Sequence, residues 1–80
     1  MTWYCYLLRC SDDTLYCGIS NDLDKRLAAH NAGTASKYTR TRTPVELAYS
    51  EECADRSAAS KRELAIKKLS RGKKLALLET

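Results

Sequence analysis

Two short apolar runs separated by a four-residue polar break constrain this chain most. Tyr4–Cys10 (YCYLLRC) is aromatic and apolar along nearly its whole length, the pattern of a strand buried on both faces. Ser11, Asp12, Asp13 and Thr14 follow, and short polar side chains of this kind bond to local backbone and favour a turn. Leu15–Ser20 (LYCGIS) is a second strand-like run, so the first twenty residues are expected to form a β-hairpin. Gly18 inside the second run marks a bulge or a close approach by another group.

The rest of the chain alternates helix signals with one further strand. Ser20 or Asn21 can cap a helix running to about Ala32, with Asp22 and Asp24 suiting its positive end and Gly33 ending it. Leu23 and Leu27 share one face of that helix. Residues 34–43 (TASKYTRTRT) lack apolar periodicity and read as a basic loop. Pro44 opens a third strand, Val45–Ser50, near a sheet edge. Asp55 or Ser57 caps a second helix reaching about Leu69, and Ser70 caps a short third helix through Leu78. The expected order is β-β-α-β-α-α in one domain spanning residues 1–80. This is an α+β fold with a small three-stranded mixed, mostly antiparallel sheet flanked by helices.

Composition narrows the function classes. No run approaches the roughly 20 apolar residues of a membrane helix, and the N-terminus lacks a signal-peptide pattern, so no membrane association is expected. Cys5, Cys10, Cys17 and Cys53 contain no Cys-x-x-Cys pair, and the one histidine, His30, completes no zinc pattern. Reduced thiols in a cytoplasmic protein are the expectation. The net charge of +4 is unevenly placed: residues 33–42 carry three basic and no acidic side chains, and residues 53–80 carry eight basic and three acidic ones. Two basic segments on a small domain suit a polyanion, although a solvated basic face would look the same.

Tyr6 on the first strand, Tyr16-Cys17-Gly18 on the second, Arg26 on the following helix and Glu63 in RELAIKKL form an ordered set. With it the chain resembles the GIY-YIG nucleases over about residues 3 to 79. SKYTR and RELAIKKLSRGKK are similar to the small stand-alone bacterial, YhbQ-like subgroup. Tyr4 stands where the family name has Gly, and Cys5 and Cys17 replace its isoleucines.

The resemblance implies an endonuclease that hydrolyses phosphodiester bonds with one divalent ion, Mg²⁺ or Mn²⁺. Glu63 is then the metal ligand, since a carboxylate holding Mg²⁺ alongside water and phosphate oxygens is a normal arrangement. From spacing alone, Glu63 is instead an exposed i,i+4 partner of Lys67. Arg26 would bind the scissile phosphate, to which its planar fork of donors is well matched. Tyr16 would position or deprotonate the attacking water, and Tyr6 would support it or the phosphate; otherwise both are core tyrosines. His30, one turn beyond Arg26, is a general base, a phosphate contact or simply a helix-end residue.

Lys37, Tyr38, Arg40 and Arg42 offer backbone and stacking contacts to nucleic acid, joined by Lys67 and by Gly18, which keeps the strand surface open. DNA is the expected partner, and monomer and weak dimer both remain open. A non-catalytic nucleic-acid-binding module of the same fold is the alternative reading. A protein adaptor with an acidic partner is a third.

Overall fold

The sheet grows outward from the hairpin. In the computed structural model, which describes residues 2–79, β1 (Trp3–Arg9) pairs with β2 (Leu15–Ser20) on one side and with β3 (Glu46–Cys53) on the other. Both pairings are antiparallel, so the small sheet is uniformly antiparallel rather than mixed. The turn closes through Cys10 and Thr14, and Asp13 takes the left-handed conformation there (φ 66°), which short polar side chains tolerate. The Asp12 carboxylate accepts from both the backbone N–H and the hydroxyl of Thr14.

The central position of β1 explains its unbroken apolar run: both of its faces are covered. Cys5 and Leu7 join Cys17 and Ile66 in one buried cluster, with Leu77 and Leu78 packed against it. Tyr6 and Leu8 join Cys10 and Val45 in the other, flanked by Tyr16, Leu23 and Leu27. Helix α1 (Leu23–Asn31) therefore covers one face, and α3 (Arg56–Lys67) with α4 (Arg71–Leu77) covers the other. All four cysteines are free, three of them buried. No helix among the described residues is long and apolar enough to cross a membrane.

Local chemistry sets the helix ends. Asp22, rather than Ser20 or Asn21, caps α1 by accepting from Lys25 N–H, while the Ser20 hydroxyl braces the Asp22 backbone. Asp55 caps α3 and Ser70 caps α4 in the same way. Gly33 follows α1 with φ 81°, the conformation that favours glycine after a helix. The Asn31 side chain then bridges to both backbone groups of Val45, tying the end of α1 to the approach of β3.

Two expectations need correction. Residues 34–43 are not all loop: Lys37–Arg40 form a single helical turn, α2, capped by Ser36. A four-residue element is too short to display periodicity, and its one buried residue, Thr39, is held by tertiary contact. A helical wheel of the sequence puts an apolar arc of α3 at Ala58, Ala65 and Leu69, with Ile66 at one edge and Glu63 just beyond it, and the buried stripe is rotated from that arc. Ala59 and Ile66 are fully buried, Ala65 is exposed, and Leu69 lies beyond the helix end. Glu63 lies between Ala59 and Ile66 at i+4 and i+7 spacing, so it faces the sheet more directly than the wheel implied.

Candidate active site

Alternation along β1 and β2 sends Tyr6, Tyr16 and Gly18 to the α1 face of the sheet. There the Tyr6 hydroxyl lies 2.9 Å from His30 Nε2, and His30 Nδ1 lies 2.8 Å from Thr39 Oγ1. The three side chains are almost completely buried, and each comes from a different element. The Tyr16 ring stands edge-on to the imidazole at 5.1 Å and stacks on Tyr38 at 5.7 Å. Arg42 covers the far side of Tyr38 at 4.1 Å, donates to the Tyr38 carbonyl and pairs with Asp12 at 2.9 Å.

Electrostatics assign the protonation states of this chain. Burial pushes the Tyr6 phenol above its ordinary value, against the hydrogen-bonding and charge of Arg26, while nearby Tyr16 adds to the rise. Burial likewise holds the His30 imidazole below its usual value, and the Arg26 charge acts in the same direction. Near neutrality, therefore, Tyr6 is a protonated phenol and His30 a neutral imidazole. Arg26 is within electrostatic reach of both, although its own side chain is exposed.

Beside this chain lies a groove of about 300 Å³ lined by Trp3, Ile19, Ser20, Asn21, Arg26 and Arg56. It sits at the end of β2, an edge strand, where the α1 face and the α3 face meet. Arg26 enters it from α1, Arg56 from the first position of α3, and no carboxylate lines it. Two guanidinium groups, a hydroxyl and an amide form an anion-binding set.

Glu63 stands apart from the tyrosines. It belongs to the α3 face, where its charge acts on Cys5 and Cys17, and its carboxylate pairs with Lys67 at 3.5 Å. The Glu63 side chain is 22% exposed and that of Lys67 52% exposed. Among the described residues no group of three or more His, Cys, Asp or Glu side chains could enclose a metal ion. The donor set nevertheless suits Mg²⁺, which keeps several waters and needs only one or two carboxylates plus substrate oxygens. Glu63 would hold the ion, which would displace Lys67 as the cation neutralising that carboxylate.

The structure thus brings Tyr6, Tyr16, Arg26 and His30 into one neighbourhood, with Tyr38 and Arg42 at its rim. Lys37 and Arg40 are exposed on α2, whereas Arg42 is already engaged by Asp12 and Tyr38. Sequence reasoning missed Thr39 and Arg56. Thr39 lies nine residues from His30 in a stretch read as loop, and Arg56 looks like an ordinary surface arginine beside a helix cap. Neither carried a linear signal.

The family model of the GIY-YIG catalytic domain matches residues 2–76, and the chain, with its antiparallel sheet and tyrosine–arginine–histidine neighbourhood, belongs to that family. The family is one of nucleases, so phosphodiester hydrolysis and a nucleic-acid substrate are the class properties. Within it the chain falls in the small YhbQ-like group of UPF0213 proteins. It is 47% identical to a UPF0213 protein of Desulfotalea psychrophila, over 96% of this chain and 71% of that one. To one of Clostridium perfringens it is 48% identical, over 96% and 83%. The solution structure of a UPF0213 protein from Bacillus halodurans superposes with TM-score 0.63 at 37% identity, covering 99% of this chain and 84% of that one. A solution structure from E. faecalis gives 0.66 at 40% identity, with the same coverage.

Proposed function

We propose that this protein is a divalent-metal-dependent endonuclease that hydrolyses phosphodiester bonds in DNA, single-stranded and structured forms being candidate substrates. The observation that carries the reading is the carboxylate-free groove between Arg26 and Arg56, set beside the buried Tyr6–His30 pair. A phosphate seated there would meet two guanidinium cations, a charge complement of the kind that phosphoryl chemistry needs. Arg26 neutralises the scissile phosphate. Tyr16, half-buried between His30 and Tyr38, orients the attacking water. Tyr6 is too deeply buried to meet substrate broadly, and it supports Arg26 from below. When bound at Glu63, Mg²⁺ or Mn²⁺ supplies charge neutralisation and a polarised water.

For Arg26 and Glu63 to act on one phosphate, the strand must pass around the open edge of β2, because the two residues belong to opposite faces. Lys37 and Arg40 extend the basic surface from α2. The second reading, a nucleic-acid-binding module without cleavage, is favoured by one observation: Glu63 is already ion-paired on the face away from the tyrosines. Incubating the protein with single-stranded, duplex and branched DNA and with RNA, in Mg²⁺, Mn²⁺ or EDTA, separates the two. DNA cleavage that EDTA abolishes supports the enzyme. Retained binding with no cleavage in either metal leaves the binding module.

A further inference from the structure

The buried chain of hydrogen bonds has a direction, and α2 sets it. Thr39 Oγ1 lies 3.4 Å from the Ser36 carbonyl, a long contact to a group that can only accept, so the Thr39 hydroxyl proton has an acceptor there besides the imidazole. With the proton on that side, the Thr39 oxygen accepts from His30 Nδ1 at 2.8 Å. A neutral imidazole carries one N–H, so in that arrangement Nε2 presents a lone pair and the Tyr6 hydroxyl at 2.9 Å donates to it. With its proton committed to His30, the Tyr6 oxygen keeps lone pairs free to accept. Arg26, which can only donate, is near enough for its charge to act on that hydroxyl. The opposite tautomer would aim an N–H at the Tyr6 oxygen. It would also turn the Tyr6 proton away from the acceptor that the described structure provides.

We propose that Thr39 is a positioning residue: its hydroxyl holds His30 in the Nδ1–H tautomer, which orients the Tyr6 hydroxyl so that its oxygen receives and aims Arg26. The role of Arg26 toward phosphate rests on the nuclease reading; the tautomer does not. The groups facing the imidazole are Tyr6 from β1, Tyr16 from β2, Arg26 from its own helix and Thr39 from α2, with no carboxylate among them. No partner in this set competes with the Thr39 hydroxyl for the Nδ1 proton. Without it, the buried Nδ1–H would lose its acceptor, and the proton would favour Nε2, where Tyr6 oxygen could accept.

His30 is the only histidine of the chain, so one imidazole appears in a long-range ¹H–¹⁵N correlation spectrum and needs no assignment by mutation. The parent at neutral pH should show protonated Nδ1 and unprotonated Nε2. Thr39→Ser should keep that pattern, and Thr39→Val, of the same shape without the hydroxyl, should move the proton to Nε2. Cleavage should be near parental in Thr39→Ser and reduced roughly 10–100-fold in Thr39→Val, the scale for losing an outer hydrogen bond that fixes an imidazole. An Nε2–H tautomer in the parent overturns the proposal, and so does an unmoved Nδ1–H in folded Thr39→Val. A shifted tautomer with parental cleavage removes the link to Arg26. If Thr39→Val does not fold, the spectra of the parent and Thr39→Ser decide. A parent with Nδ1–H that cuts no nucleic acid upholds the tautomer assignment and counts against the nuclease reading alone.

Discussion

The ring of Tyr6 lies across the backbone of Gly18, its partner in the β1–β2 register: a Cβ on Gly18 would stand 2.5 Å from the Tyr6 hydroxyl and 2.7 Å from its ring carbon Cζ. That space is what lets Tyr6 reach His30 across the sheet face. Gly18 therefore acts through packing, and the close approach expected at this position is made by Tyr6 itself. Gly18→Ala should displace the tyrosine ring, break the Tyr6–His30 hydrogen bond and destabilise the fold by about 1–3 kcal/mol, the usual cost of forcing an extra carbon into a packed site. Denaturant midpoints check the stability, and loss of the His30–Tyr6 hydrogen bond is visible in the imidazole spectrum. Parental stability in Gly18→Ala would mean that the ring has room the structure does not give it.

Glu63→Gln separates chemistry from binding. The substitution keeps size but removes the charge that a divalent ion needs, and it leaves Lys67 without its ion-pair partner. Affinity for DNA in EDTA should hold or rise, because one negative charge is gone, while cleavage in Mg²⁺ collapses. Arg26→Ala should lower cleavage by roughly 10²–10³-fold, the scale for one charge-stabilising donor, and weaken binding as well. Paired measurements of metal-free affinity and metal-dependent rate test both. Undiminished cutting by Glu63→Gln would remove it as the ligand.

Salt dependence maps the contact surface. Each phosphate neutralised on duplex DNA contributes about −0.9 to the log–log slope of affinity against salt. Lys37→Ala and Arg40→Ala together should flatten that slope, since both side chains project from α2 into solvent. Arg42→Ala should act differently, because its guanidinium is held by Asp12 and covers Tyr38. Its loss should loosen α2 and the Tyr16–Tyr38 stack, lowering stability with less change in slope. Equal slope changes for Arg42 and the exposed pair would return Arg42 to the binding surface.

Acid sensitivity reports His30. Its folded value lies below the ordinary 6.5 through burial, with the Arg26 charge adding to the effect. The unfolded chain therefore binds a proton more readily than the folded one just below that pH. Stability attributable to the neutral imidazole is fully present above about 6.5 and declines as pH falls from there toward the folded value. Asp12, lowered from 3.8 chiefly by the Thr14 hydroxyl, loses its contribution only at more acidic pH, so the two windows separate. Chemical denaturation across the imidazole range should show the decline in the parent and not in His30→Gln. A flat parental profile there would mean that the folded imidazole titrates as freely as the unfolded one.

The sequence by itself determined most of the local elements and singled out a set of candidate side chains. The central strand was legible because burial on both faces leaves no alternation, and the caps of α3 and α4 because Asp and Ser bond to the nearest free N–H groups. The same short-range chemistry misled at α1, where Ser20 braces the cap and Asp22 makes it. Tyr6, Tyr16, Arg26 and Glu63 could be picked out as a set by their order. Tertiary structure alone decided which of them meet. Thr39 becomes the partner of His30, and Arg56 the neighbour of Arg26, only because chain segments remote in sequence are packed together. Glu63 lies on the opposite face of the sheet from the tyrosines because α3 packs there, and the buried Ala59–Ile66 stripe turns it toward that face. Hydrogen bonding within a turn or a helix end is written in neighbouring residues. The facing of a helix is set by the summed burial of its whole apolar stripe against a surface that exists only after the sheet has formed.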